Sequence, residues 1–177
     1  MSTIQIKDKS FSLSIPEAEI LEAVKKVGEA INTDLKDLNP LFIGVLNGAF
    51  MFAADLMKFV NIPCEITFVK LASYEGLYST GNVKEILGLN ESVINRNVVV
   101  VEDIVDTGTT MERILSSLKV KGAASIRVAT FLQKPDALQC DIEINYIAMK
   151  IPNDFIVGYG LDYDGYGRNL RDIYTVI

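Results

Sequence analysis

Apolar residues recur at three- and four-residue spacing in three segments of the chain, and this spacing predicts amphipathic helices. The predicted helices run from Pro16 to about Thr33, from Phe50 to Val60 and from Thr109 to Lys119. Short apolar runs between them predict strands. The predicted strands are Leu41–Leu46, Cys64–Ala72, Asn97–Glu102, Ser125–Leu132, Tyr146–Met149 and Ile156–Tyr159. Strands that alternate with helices predict an α/β fold with a mostly parallel central sheet flanked by helices.

The ends of the predicted helices carry local signals. Ser14 and Glu17 resemble a capping box, and Pro16 suits the first turn of the first helix. Gly122 stands where a left-handed residue commonly ends a helix. The segment Ser73–Glu85 is instead rich in Gly, Ser, Thr and Asn, so we predict a flexible loop there that can close as a lid.

The composition is that of a soluble globular protein. The chain has 177 residues, of which 49% are hydrophobic and 23% charged, so we expect a single domain over residues 1–177. The longest apolar stretch, Ile43–Val60, is interrupted by polar residues and predicts no membrane span, and the N-terminus lacks the apolar core of a signal peptide. The spacing of Cys64 and Cys140 favours reduced thiols in a cytoplasmic protein, with a disulfide or metal pair as the alternative.

Charge and residue types narrow the chemistry further. The formal net charge of −6 argues against a nucleic acid or an anionic membrane as partner, because either would call for a clustered basic surface. The chain contains no histidine, which excludes serine–histidine and cysteine–histidine catalysis and histidine-ligated metal sites. Any acid–base step must therefore use carboxylates, lysine, tyrosine or water.

The segment VVVVEDIVDTGTT, residues 98–110, combines these features. Four consecutive valines predict a central parallel strand that is buried on both faces, with Glu102 and Asp103 where the strand leaves the sheet. The turn Asp106–Thr110 leads into a helix, and the backbone N–H groups of such a turn can bind phosphate, with Gly108 allowing a close approach. In the alternative reading, Asp106 or Thr107 only caps the helix and the acids are solvated.

The sequence EDIVDTGTT resembles the phosphoribosyl pyrophosphate motif of the type I phosphoribosyltransferases. The resemblance implies that Glu102 and Asp103 bind the ribose hydroxyls and Mg²⁺, and that Asp106 accepts a proton at N7 of a purine. The residues that would hold the 5′-phosphate, mainly through backbone amides, are Thr107, Gly108, Thr109 and Thr110.

Other segments resemble the branch of this family that acts on 6-oxopurines. Leu46, Asn47 and Gly48 stand where the family has its pyrophosphate loop, commonly with a cis peptide before the middle residue. Several relatives carry lysine where Asn47 stands, which removes a charge from this loop. Ser73 and Tyr74 stand where the family's lid begins.

The C-terminal part resembles the family's base-binding elements and a hood, which would form from the N-terminal segment and roughly residues 150–177. By this resemblance Lys134 would donate to the purine O6, Phe155 would stack on the ring, and the backbone of Ile156 would address the base edge. Asp162 would lie at the base site and hold a second Mg²⁺, and Arg168 would contact pyrophosphate.

These last roles have structural alternatives. From the sequence alone Lys134 reads more readily as a solvated loop lysine, and Phe155 could be a core residue. Asp162 and Arg168 could form only a surface ion pair.

The resemblance implies a purine-salvage enzyme that transfers the 5-phosphoribosyl group from phosphoribosyl pyrophosphate to hypoxanthine, and also to guanine, with Mg²⁺ as cofactor. The alternatives are a xanthine-preferring relative and an RNA-binding regulator with the same fold, and the acidic balance argues against the second. Because members of the family usually associate, a homo-dimer or homo-tetramer is expected.

Overall fold

The computed structural model describes residues 2–71, 86–87 and 89–177. The predicted lid Ser73–Glu85, with Ser73 and Tyr74, lies outside the described residues. In chain order the elements are β1 (Thr3–Ile6), β2 (Lys9–Ile15), α1 (Glu17–Asp34), β3 (Leu41–Leu46), α2 (Phe50–Phe59), β4 (Glu65–Leu71), β5 (Ile86–Leu87), β6 (Asn97–Val105), α3 (Thr109–Val120), β7 (Ser125–Gln133), β8 (Tyr146–Lys150), β9 (Ile156–Val157) and β10 (Ile173–Val176). None of the three helices in this part of the chain has both the length and the apolar character that a membrane crossing needs.

The central sheet confirms the predicted fold class. In the described part of the chain its strand order is β5-β4-β3-β6-β7-β8, and every neighbouring pair is parallel except β4 and β5. Val99 and Val101 of β6 pack in one apolar cluster with α1 and α2, whereas Val98 and Val100 pack in a second cluster with α3. The four valines are therefore buried on both faces of the sheet, because helices cover both faces.

Strand β6 is longer than the sequence predicts. Its pairing with β3 ends at Val101, opposite Gly44, but its pairing with β7 continues to Val105. Glu102 and Asp103 therefore lie within the strand and not beyond its end, and Glu102 is paired with Thr130. Because β3 has already stopped pairing at this level, the side of β6 next to β3 is left open for the loop that follows β3.

The two ends of the chain form a second, antiparallel sheet in the order β1-β2-β10-β9. We call this sheet and the connecting residues 158–172 the hood. Strands β1, β2 and β10 have no counterpart among the predicted elements, and the predicted strand Ile156–Tyr159 ends at Val157. Residues from β9, from residues 158–161 and from β10 join the apolar cluster of α1 and α2, so the hood packs on that side of the central sheet.

The predicted capping box at the start of α1 is wrong. Ser14 belongs to β2, and its hydroxyl donates to the carbonyl of Ile173 at 3.0 Å. The backbone N–H of Glu17 instead donates to Oδ1 of Asp172 at 2.7 Å. A carboxylate from the hood thus accepts a hydrogen bond from a free N–H at the start of α1. The helix is capped by a residue far away in the sequence and not by its own preceding residues.

Candidate active site

The turn between β6 and α3 forms one wall of a cleft at the carboxyl end of the sheet. Gly108 has a left-handed backbone with φ of +84°, and α3 begins at the next residue. Helix geometry leaves the first N–H groups of α3 without intrahelical acceptors, so they favour an anion at this end. The cleft has a volume of about 200 Å³, and its lining includes Glu102, Val105, Asp106, Thr107, Gly108 and Thr110.

Thr109 differs from Thr107, Gly108 and Thr110, the other residues predicted to hold the 5′-phosphate. Its hydroxyl oxygen lies 3.3 Å from the hydroxyl of Thr107 and 3.9 Å from Sγ of Cys140. The threonines that line the cleft are Thr107 and Thr110. The Thr109 side chain thus faces the segment behind the turn.

That segment, residues 134–142, braces the turn from behind. The backbone N–H of Lys134 donates to Val105 at 3.0 Å, and the N–H of Gln139 donates to Thr107 at 2.9 Å. A Cβ added at Gly108 would lie 2.9 Å from a methyl group of Leu138, so the turn and its support are closely packed. The motif itself gives no sign of this support, because the supporting residues lie about 30 positions further along the chain.

Lys134 forms a pair with Asp106, which lines the cleft. Nζ of Lys134 lies 3.4 Å from Oδ2 of Asp106, and the lysine side chain is 11% exposed while the aspartate side chain is 47% exposed. The reading of Lys134 as a solvated loop lysine is therefore wrong. The pair places a hydrogen-bond donor and an acceptor side by side, with the acceptor open to solvent.

Glu102 and Asp103 are adjacent carboxylates, of which Glu102 is buried and Asp103 half-buried. Glu102 is only 8% exposed, and burial, followed by the negative charge of Asp103, raises its pKa well above the ordinary value. Burial also raises the pKa of Asp103, while hydrogen bonds and the positive charge of Arg168 oppose that rise. The Oδ1 atom of Asp103 accepts the N–H of Ile104 at 2.8 Å. Within the described part of the chain neither carboxylate has a salt-bridge partner, so both favour a ligand that brings positive charge or hydrogen-bond donors.

The loop Leu46–Gly48 begins at the last residue of β3 and lies on the open side of β6. Its Leu46–Asn47 peptide bond is cis. A Cβ at Gly48 would overlap the carboxylate of Asp103, so only glycine lets the carboxylate approach the backbone this closely. The loop therefore packs directly against the carboxylate of Asp103.

The hood contacts this loop through Gly160. Its φ is +98°, and an added Cβ would overlap the carbonyl oxygen of Gly48. Nη1 of Arg168 donates to the carbonyl of Gly160 at 2.7 Å, and Nη2 lies 2.6 Å from Oδ1 of Asp162. The ion pair considered as an alternative for Asp162 and Arg168 is therefore formed, with each side chain partly buried. Because Gly160 contacts both the loop and the guanidinium, it holds Arg168 next to the site.

The two residues predicted to address a base lie in or beside β9. Phe155 is 44% exposed and is not a core residue, and its ring packs against Phe11 and, edge to face, against Tyr163. Ile156 is buried and pairs with Thr175. No hydrogen bond or ring contact in the described part of the chain joins either residue to Lys134.

Gly160 of the hood is a site residue that the sequence analysis did not single out. Gly158, Gly160, Gly165 and Gly167 all have positive φ, and Gly160 touches the loop directly. Four glycines within ten residues are a signal of tight turns and close backbone approach.

Comparison with known proteins places this geometry in a family. The family model for the phosphoribosyl transferase domain matches residues 16–164. The chain therefore belongs to the phosphoribosyltransferase family. This membership agrees with the strand order of the central sheet, with the turn Asp106–Thr110 and with the acids Glu102 and Asp103 described above.

Relatives of this phosphoribosyltransferase are described as purine enzymes. A hypoxanthine-guanine phosphoribosyltransferase of Streptococcus mutans is 41% identical over 155 residues, covering 87% of this chain and 86% of that protein. The bifunctional protein TilS/HprT of Listeria monocytogenes is 41% identical over 157 residues, covering 88% of this chain, but the chain spans only 24% of that protein's length. A crystal structure of a hypoxanthine phosphoribosyltransferase from Staphylococcus aureus superposes with a TM-score of 0.84 at 35% identity, covering 94% of this chain and 91% of that one.

Proposed function

We propose that this phosphoribosyltransferase acts in purine salvage and transfers the 5-phosphoribosyl group of phosphoribosyl pyrophosphate to hypoxanthine, and also to guanine. The observation that carries the proposal is the buried Lys134 paired with Asp106, which lines the cleft together with the turn into α3. A donor next to an acceptor matches the edge of a 6-oxopurine, where O6 accepts and N7 can carry a proton.

The sugar donor fits the cleft in two parts. The backbone N–H groups of Thr107–Thr110, at the start of α3, bind the 5′-phosphate. The carboxylates of Glu102 and Asp103 accept hydrogen bonds from the ribose hydroxyls, in addition to those they accept from backbone N–H groups.

The base binds over the Lys134–Asp106 pair. The ammonium donates to O6, and it cannot make the same contact with the 6-amino group of adenine. The purine ring nitrogen that attacks the sugar forms its bond to C1 as the bond from C1 to pyrophosphate breaks. The proton on N7, the other nitrogen of the five-membered ring, passes to the carboxylate of Asp106. Phe155 stacks on the ring, and the backbone of Ile156 addresses the base edge, which requires the purine to reach the exposed ring of Phe155.

The leaving pyrophosphate is held by the loop Leu46–Gly48 and by Arg168. The guanidinium lies next to the loop through Gly160, so the two form one anion-binding surface. Asn47 carries no charge, so the loop binds through its backbone amides.

The donor set fits Mg²⁺. Glu102 and Asp103 are oxygen ligands without a salt-bridge partner in the described residues, and Asp162 is paired with Arg168 in the hood. Mg²⁺ commonly takes one or two protein carboxylates together with substrate phosphates and water. When bound, the ion neutralises charge on the pyrophosphate leaving group.

We further propose that the enzyme is a cytoplasmic homo-dimer or homo-tetramer. The two free cysteines support a reducing compartment. Light scattering of the purified protein separates a dimer from a tetramer, and a monomer at working concentration would contradict the proposal.

The deciding experiment is a base panel with phosphoribosyl pyrophosphate, with and without Mg²⁺. We expect turnover with hypoxanthine and guanine, little with adenine, and loss of activity without Mg²⁺. A preference for xanthine would identify a xanthine-type enzyme, and a preference for adenine would contradict the role of Lys134. Absence of turnover with every base would contradict the function itself.

Substitution of Asp106 tests the proton acceptor. Asp106→Asn should lower kcat by roughly 10²- to 10⁴-fold while leaving the KM for phosphoribosyl pyrophosphate nearly unchanged. The matched control is Asp136→Asn, which removes an exposed charge two residues from Lys134. Near-normal activity of Asp106→Asn with both bases would remove Asp106 from the mechanism.

A further inference from the structure

Two tyrosines of this protein donate a hydrogen bond to an aspartate on a helix. The hydroxyl of Tyr159 lies 2.7 Å from Oδ2 of Asp55 on α2, and the hydroxyl of Tyr146 lies 3.1 Å from Oδ2 of Asp34 at the end of α1. Both rings are buried. The two bonds are chemically alike, but only the first joins the hood to α2, the helix that follows the loop Leu46–Gly48.

Tyr159 lies in the hood between Gly158 and Gly160. It is 1% exposed, and its ring centroid is 4.7 Å from that of Phe131 in the main core. Its φ is +45°, a left-handed conformation that costs a non-glycine residue energy, so surrounding contacts must hold it in place. The bond to Asp55 is such a contact.

The next residue, Gly160, makes the contacts that matter for the site. Its backbone packs on the carbonyl of Gly48, its carbonyl accepts Nη1 of Arg168, and its N–H donates to the carbonyl of Arg168 at 3.0 Å. Asp55 lies on the helix that begins directly after the loop Leu46–Gly48. The hood is therefore attached twice to the loop-and-helix unit, once at Gly48 and once at Asp55.

We propose that Tyr159 is a positioning residue for the pyrophosphate half of the sugar donor. Its hydrogen bond to Asp55 fixes Gly160, and Gly160 in turn sets the distance between the loop Leu46–Gly48 and Arg168. The inference rests on the proposed function for the identity of the ligand.

The chemistry of Tyr159 and Asp55 favours a hydrogen bond that stays formed near neutral pH. Burial, followed by the hydrogen bond to Asp55, raises the pKa of Tyr159, so the phenol stays protonated and continues to donate near neutral pH. Asp55 is 18% exposed, and its other oxygen is paired with Lys58 at 2.7 Å. The carboxylate is thus oriented from its solvent side and presents Oδ2 to the tyrosine.

The test compares Tyr159→Phe with Tyr146→Phe. Tyr159→Phe should raise the KM for phosphoribosyl pyrophosphate, and for pyrophosphate in the reverse reaction, by about fivefold or more, as expected for loss of one hydrogen bond to a charged group. The KM for hypoxanthine should change by less than about twofold, because Lys134 and Asp106 belong to a different part of the site. Tyr146→Phe loses the equivalent bond away from the site and should leave both KM values unchanged.

Substitutions of Asp55 test the same hydrogen bond from the acceptor side and leave Tyr159 unchanged. Asp55→Ala should reproduce the rise in the pyrophosphate-side KM, and Asp55→Asn, which keeps an oxygen acceptor, should restore most of it. The inference is overturned if Tyr159→Phe and Asp55→Ala leave these KM values unchanged, or raise the hypoxanthine KM equally.

A binding measurement separates this inference from the proposed function. The rise in Tm that pyrophosphate with Mg²⁺ causes, measured without a base, should be smaller for Tyr159→Phe than for wild type and unchanged for Tyr146→Phe. If wild type turns over no purine, the function fails but this comparison still decides the role of Tyr159. Equal Tm shifts in all three proteins would overturn that role.

Discussion

The contact between Gly160 and Gly48 can be tested by adding a single methyl group. In Gly160→Ala the new Cβ would overlap the carbonyl oxygen of Gly48 and lie 3.2 Å from its carbon, so the two segments must separate by about 1 Å. Gly165→Ala provides a matched control, because its φ of +85° resembles the +98° of Gly160 but nothing lies within 4 Å of its added Cβ. Both glycines have a left-handed backbone, but only Gly160 has backbone atoms in the way of the added methyl group.

The expected losses of stability follow from this difference. Gly165→Ala should lower the free energy of unfolding by about 1–2 kcal/mol, the cost of a left-handed alanine. Gly160→Ala should lose the same amount plus about 1–3 kcal/mol for the overlap with backbone that cannot rotate away. Its total loss should therefore be about 2–5 kcal/mol.

Urea unfolding and steady-state kinetics measure the two consequences. Gly160→Ala should also raise the KM for phosphoribosyl pyrophosphate, because the loop Leu46–Gly48 moves away from Arg168, whereas Gly165→Ala should leave that KM unchanged. Equal losses of stability and equal KM values in the two variants would refute the idea that Gly160 supports the loop.

Two further predictions concern the buried acid and the helix cap. Burial and Asp103 raise the pKa of Glu102 above its ordinary value of 4.5, so its contribution to stability is fully present below about that pH and is lost as the pH rises toward the folded-state value. In urea unfolding without Mg²⁺ between pH 4 and pH 8, Glu102→Gln should therefore gain stability over wild type as the pH rises; a constant difference, or the same trend in the exposed control Glu112→Gln, would contradict this. Asp172→Ala should lower the free energy of unfolding by about 1 kcal/mol, because the N–H of Glu17 loses its acceptor, and Asp172→Asn should lose less; equal losses in urea would count against the cap.

Elements that depend on neighbouring residues were predictable from the sequence. The strand Leu41–Leu46 and the helices α1, α2 and α3 lie within about one residue of their predicted bounds, because apolar spacing and end signals act over a few residues. The turn from Asp106 to Thr110 was predictable for the same reason, since strand, glycine and helix start are contiguous. Strand β6 was predicted three residues too short, because acidic residues resemble a strand end unless a partner strand covers them.

The hood and the cap of α1 were not predictable in the same way. Strand β2 pairs with β10 across more than 150 residues, so the partner of either strand lies far outside any local window. The alternation of apolar and polar residues in SFSLSI, residues 10–15, is a local strand signal that the predicted elements omit. Ser14 and Glu17 fit a capping box locally, but pairing of β2 with β10 draws Ser14 into the sheet and brings Asp172 to the helix. Long-range pairing of strands thus overrode the local signal for a capping box.

The sequence by itself determined the central sheet, the turn Asp106–Thr110 and the types of reactive group, because each depends on contiguous residues or on composition. Only the tertiary structure decided that Lys134 is buried beside Asp106 and that Gly48 and Gly160 let the loop, the acid Asp103 and the hood meet. These contacts join segments 28 to 112 residues apart, and they depend on backbone packing distances of a few ångströms. No local pattern encodes such distances, since they are set by how the helices, the sheet and the hood pack together.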